Sequence, residues 1–121
     1  MERDGHVSVD DIFQLLSHNR RRLALQYFKQ YHNPIALDDL AFRIARWEQP
    51  PAATPARVEV DQTRTALQKT HLPMFSEMGF IEYQTVNQTI RCNDATISAA
   101  MESAINVIGF LFDERNAAGD E

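Results

Sequence analysis

The stretch 68-QKTHLPMFSEMGFIEYQ-84 decides the fold. Up to Gly79 it reads as the end of a helix. Beyond Gly79, apolar and polar residues alternate, which is the period of a strand. Gly79 stands where a helix should stop, because glycine adopts the left-handed cap conformation at no steric cost. Pro73 lacks an N–H, so the carbonyl of Lys69 loses its helical partner and a distortion is expected there. His71, two residues earlier, can belong to chemistry, to a nucleic-acid contact or to the core.

Working backwards, this helix starts between Arg57 and Asp61 and ends near Met78. At about 100° per residue, Val60, Leu67, Met74 and Met78 share an arc, and His71 falls about 40° from Leu67. The opposite side holds Asp61, Gln62, Thr65, Lys69 and Leu72. His71 is therefore expected at the core, hydrogen-bonded, with a DNA or partner contact as the alternative. A metal or catalytic role lacks support. His6, His18, His32 and His71 show no ligand spacing, and Cys92 has no second thiol near it. There is no glycine-rich phosphate loop and no recognisable carboxylate pair. No enzyme activity, metal or cofactor is expected.

Working forwards, Phe80–Thr85 and Thr89–Cys92 read as two strands of a hairpin around 86-VNQ-88. A helix over 95–113 follows, with Asp94 or Thr96 as its cap. Towards the N-terminus, Ser8 caps a helix over 8–17, Asn19 caps Arg20–Tyr31 and Asp38 caps Asp39–Glu48. Ile35–Leu37 is a short extended piece. The prolines of 49-QPPAATPA-56 force a loop. The expected class is mainly α with a small β-hairpin: a winged helix-turn-helix plus a C-terminal dimerisation helix. The expected divisions are a disordered 1–7, a winged-helix domain over 8–93, the helix 94–113 and a disordered tail 114–121.

The segments 15-LLSHNRRRLALQYF-28, 37-LDDLAFRIA-45 and 67-LQKTHLPMFSEMGFIEY-83 resemble ArsR-type winged-helix regulators. They resemble more closely a haloarchaeal winged-helix family with a His-Leu-Pro signature before the wing. The resemblance covers roughly residues 8–92 and implies transcriptional regulation. The loop Gln49–Ala56 departs from the short turn that joins the two helices of ordinary helix-turn-helix units.

A chain of 121 residues with ordinary hydrophobic content fits one domain with its own core. Its net charge of −5 argues against a generic nucleic-acid binder. Ten arginines against two lysines, among many acids, resembles the usage of salt-loving archaea, where an acidic surface says little about partners. Cys92 alone permits no internal disulfide, which fits a reducing compartment. No apolar leader is apparent, and the run around Ile105–Phe112 reads as too short and interrupted to span a membrane. A cytoplasmic protein without membrane contact is expected.

The placement of polar residues suggests how double-stranded DNA would be met. Arg20, Arg21 and Arg22 lie at a helix N-terminus, where positive charge opposes the helix dipole. That points to phosphate binding, or else to pairing with Asp10, Asp11 or Asp38. Gln62, Thr65, Gln68 and Lys69 face outwards from the fourth helix, able to reach base edges or phosphates. The wing offers Asn87, Gln88 and Arg91. On the last helix Ile97, Met101, Ala104, Ile108 and Leu111 form a heptad seam, widened by Ile105 and Phe112. This seam is read as a homodimer interface, with packing against the first helix as the alternative. The leading expectation is a homodimeric DNA-binding regulator; the other is a winged-helix protein–protein module.

Overall fold

Ser8 starts the fold by accepting a hydrogen bond from the Asp11 amide at 3.0 Å. This satisfies one of the donors that a helix start leaves orphaned. Helix α1 (Val9–Leu16) then buries Ile12 and Leu15. The structure, a computed structural model, describes residues 7–120, with side chains described from Val7 to Phe112. All but Val7 of the expected disordered N-terminus lies outside the described residues.

Helix α2 (Asn19–Gln30) is capped by His18 rather than Asn19: the His18 Nδ1 accepts from the Arg20 amide at 3.1 Å. Strand β1 (Ile35–Ala36) leads directly into α3 (Leu37–Trp47). Here Asp38 is not the cap. It lies with Asp39 in the first turn, where negative charge suits the helix dipole. Residues 48–56 form the loop that the prolines demand. The Ala56 amide then donates to the Glu59 side chain at 2.8 Å and opens α4 (Arg57–Ala66).

Helix α4 continues through a π-helical turn, Leu67–His71, into α5 (Leu72–Glu77). The Leu72 amide reaches back five residues, to the Leu67 carbonyl. This wider turn makes room for Pro73, whose ring would otherwise meet the carbonyl four residues before it. The extra residue shifts the phase of everything after it. Leu72, placed opposite the core by a uniform helix, is buried beside His71. Phe75 fills the core one turn on, and Met74 is only half-buried.

Gly79 ends the helix with φ +77°. The Phe80 amide donates to the Phe75 carbonyl at 2.9 Å and the Gly79 amide to the Ser76 carbonyl at 3.0 Å. Those two bonds, with the Phe75 and Phe80 rings 6.2 Å apart, make a Schellman cap and its hydrophobic contact. Strands β2 (Ile81–Gln84) and β3 (Thr89–Cys92) form the expected hairpin, and β1 adds to it in the order β1-β3-β2, all antiparallel. The Asn33 side chain locks the sheet to α2. It accepts from the Cys92 amide at 2.7 Å and donates to the Cys92 carbonyl at 3.0 Å.

Asn93, not Asp94 or Thr96, caps the last helix, accepting from the Thr96 amide at 3.2 Å. Helix α6 (Asp94–Asp120) runs past the expected end at residue 113 and through most of the segment read as a tail. Its first half lies against α1, with Ala100 and Ala104 buried. The core gathers Leu15, Ala24, Phe28, Leu40, Ile44, Leu67, Phe75, Phe80 and Ile90, from α1, α2, α3, the π-turn, α5, the start of the hairpin and β3.

Candidate nucleic-acid interface

The three arginines at the start of α2 have their guanidinium groups engaged within the fold. Arg21 is buried, and donates from Nε to the Leu15 carbonyl at 2.8 Å and from Nη2 to the Gln14 carbonyl at 3.1 Å. Arg22 Nη1 donates to the Leu16 carbonyl at 2.6 Å. Together they cap the end of α1, where carbonyls lack helical partners and cations are favoured. Arg20 holds Glu48 through both carboxylate oxygens, at 2.9 and 3.2 Å, and so ties α2 to the end of α3. Where acidic partners were expected, these arginines bind carbonyls and Glu48, and Asp38 pairs with Arg64 instead.

His71 completes this buried cluster. Its Nδ1 lies 3.2 Å from Arg21 Nη1. Arginine has only donors, so Nδ1 accepts, and the ring is neutral with its proton on Nε2. The His18 ring packs at 4.5 Å. Burial above all, then the neighbouring charges of His18, Arg21 and Arg20, pulls His71 down from 6.5 to about 4. His71 is thus a core residue that joins the π-turn to the α1–α2 junction. Burial, with a smaller contribution from Asp94, pushes the buried Cys92 thiol up to about 12, which leaves it protonated and unreactive near neutral pH.

The structure does gather part of the expected polar face on α4. Gln62, Thr65 and Lys69 are exposed one helical turn apart. Gln68 is half-buried, and its Nε2 donates to the Tyr83 hydroxyl of β2 at 3.3 Å. Arg64 pairs with Asp38 on α3 at 2.8 Å and approaches Asp61 at 3.5 Å. Thr63 faces inwards, its hydroxyl donating to the Glu59 carbonyl at 2.9 Å. Packing between α3 and α4 is extensive despite the long loop that joins them.

The wing tip spans Thr85–Gln88, with Asn87 and Gln88 exposed and Val86 97% exposed. Gln88 takes a positive φ of 54°, and its carbonyl accepts from the Leu37 amide at 3.0 Å. The wing is thereby fastened to the first residue of α3. The Thr89 hydroxyl donates to the Asn87 side chain at 2.8 Å. Arg91 is exposed and stands opposite Glu82 across the ladder.

Of the seam on α6, Ala104 is buried, while Ile97 and Met101 are half-buried against the domain core. Ile105, Ile108, Leu111 and Phe112 are exposed. The segment Asp94–Phe112, 19 residues of mean hydropathy 1.5, is by length and composition long and apolar enough to cross a membrane, which corrects the reading that the run is too short. Among the described residues, no group of three or more His, Cys, Asp and Glu side chains comes together that could hold a metal ion.

The order helix, helix, strand, helix, helix, strand, strand, with the first strand beside the third, is that of a winged helix-turn-helix. The chain belongs to the family described as domain of unknown function DUF7344, whose model matches residues 13–91. Neither the curated proteins nor the solved structures give a match to this chain.

Proposed function

We propose that the protein is a winged-helix DNA-binding transcriptional regulator that acts as a homodimer through α6, without catalytic activity, in the cytoplasm. The observation that carries this is the exposed triplet Gln62, Thr65 and Lys69 on the helix that a winged helix presents to the major groove. The exposed amides of Asn87 and Gln88 on the anchored wing then lie against adjacent backbone. Arg91 is a further backbone contact. The electrostatic contribution is small, because Arg64 is already neutralised by Asp38 and Asp61. Binding by one domain is therefore weak, and a dimer gains by engaging two half-sites. The two α1–α2 arginines fixed on carbonyls, and Arg20 on Glu48, take no part.

A mobility shift on the DNA upstream of the protein's own gene, at several salt concentrations, tests this reading. Replacing Gln62, Thr65 and Lys69 with alanine abolishes the specific shift and leaves the circular dichroism unchanged. Lys69→Ala alone lowers the salt slope by about 1 and weakens all sequences alike. Unaltered binding by the triple variant rejects the assignment of α4.

The second reading, a winged-helix module for protein contact, is favoured by the pairing of Arg64 with two aspartates and the exposure of Glu82 beside Arg91. Failure to shift any duplex at low salt favours that reading.

A further inference from the structure

Helix α6 spans 27 residues, about 40 Å at the usual rise. Among its described side chains, the last buried one is Ala104, while Ile105, Ile108, Phe110 and Leu111 are 64%, 45%, 62% and 62% exposed. With Val107, they sweep over about 220° of the helix surface at about 100° per residue. One helix packed alongside covers a stripe of little more than about 100°. A simple pair of α6 helices therefore leaves much of this apolar surface in water. A groove between two helices covers a wider arc.

The same molecule carries such a groove. A cavity of about 800 Å³ lies between α2 and the first half of α6, walled by Leu25, Phe28, Ile97 and Met101. Its α2 side carries the basic side chains Arg22 and Lys29, with His32 just beyond the helix, and its α6 side carries Asp94 and Glu102. The sequence that follows the exposed stretch, 113–121, has four carboxylates against one arginine. Ridge and groove are thus matched in apolar character, the α2 side of the groove suits the acids that follow the ridge, and every copy has both.

We propose that the second half of α6 from each copy lies in the α2–α6 groove of the other. This rests on the homodimer reading and specifies where the partner's helix goes. Residues 105–120 continue the helix for about 24 Å at the usual rise. A two-fold axis between the copies makes the exchange reciprocal, and the assembly closes as a dimer instead of growing into a fibre. The apolar ridge then meets two helices of the partner at once, which accounts for its breadth.

Single cysteines test the exchange. Gln26→Cys, at the groove edge, and Leu111→Cys, on the ridge, are made in separate chains, mixed, and oxidised. The native Cys92 is buried and does not compete. A disulfide joining the two different chains, in excess over either like-with-like product, is expected. The pair Lys29→Cys and Ile108→Cys gives a second reading of the same groove, and circular dichroism checks that all four variants fold. A wild type that sediments as a dimer but yields only Leu111-to-Leu111 or Ile108-to-Ile108 products overturns the exchange and leaves the homodimer standing. A monomeric wild type overturns both, and flotation of that monomer with anionic lipid vesicles identifies a membrane as the occupant.

Discussion

His71 and Arg21 hold each other in place, and each explains why the other resists a reading from sequence. The helical wheel puts His71 at the core, because that needs only its own helix. Arg21 looks like a surface cation, because the carbonyls it caps belong to another helix that no wheel includes. The neutral state of His71 has a consequence for stability. The folded protein keeps the ring unprotonated down to about pH 4, whereas the unfolded chain protonates it near 6.5. Between those values the unfolded state binds the extra proton, so stability falls as the pH drops from about 6.5 to 4. The gap corresponds to roughly 3 kcal/mol at most. Urea unfolding at pH 7 and pH 4 is expected to show a larger loss for the wild type than for His71→Gln, which cannot titrate. Equal losses contradict a neutral, buried His71. At pH 7, His71→Ala leaves Arg21 short of an acceptor, and is expected to cost about 1–3 kcal/mol without altering the exposed face of α4.

At the level of elements, the helix that leads into the wing shows what periodicity delivers and where it stops. A uniform turn predicts the burial of Leu67 and His71 correctly. It then misplaces Leu72, because the π-turn before Pro73 inserts a residue into the phase. The distortion was foreseeable from Pro73; its form was not, since a kink and a wider turn relieve the same clash. Caps were read less well than helices. Asn19 and Asp38 have the favoured chemistry, yet His18 and Ala36 occupy the cap positions, because tertiary packing fixes where each helix starts. Gly79 was legible because backbone geometry alone requires it. A Cβ placed there meets nothing within 4 Å, so its cost is confined to the backbone. Gly79→Ala is therefore expected to lose about 1–2 kcal/mol in chemical denaturation with an unchanged fold. A loss above about 4 kcal/mol would point to a packing role that this geometry does not contain.

Over the whole molecule, the winged-helix order was written in the succession of periods: three helical stretches, a proline-rich loop, a helix closed by glycine, then alternation. The pairing of β1 with β3 was not, because a two-residue strand carries no period of its own. The candidate site was legible in part. Gln62, Thr65 and Lys69 needed only the wheel, whereas the occupation of Arg20 to Arg22 by carbonyls and Glu48 depends on contacts across the fold. The seam on α6 shows the same division. Its spacing says that the face must be covered but not by what. The first half lies on α1, and Met101 packs against the domain itself, so a charge at Met101 tests folding as much as assembly. Ile108 and Leu111 are exposed in the single chain and avoid that ambiguity. Burying each against a partner contributes roughly 1.5–3 kcal/mol. Ile108→Glu with Leu111→Glu removes that gain and places two charges where desolvation opposes them. In sedimentation at high salt, the double variant is expected to be a monomer, with association weakened at least about 100-fold from the loss of some 3 kcal/mol. Its helical signal and its urea midpoint as a monomer should survive, and its DNA shift should fall with the lost half-site. A double variant that unfolds means these residues hold their own domain together, and one that stays dimeric moves the interface elsewhere.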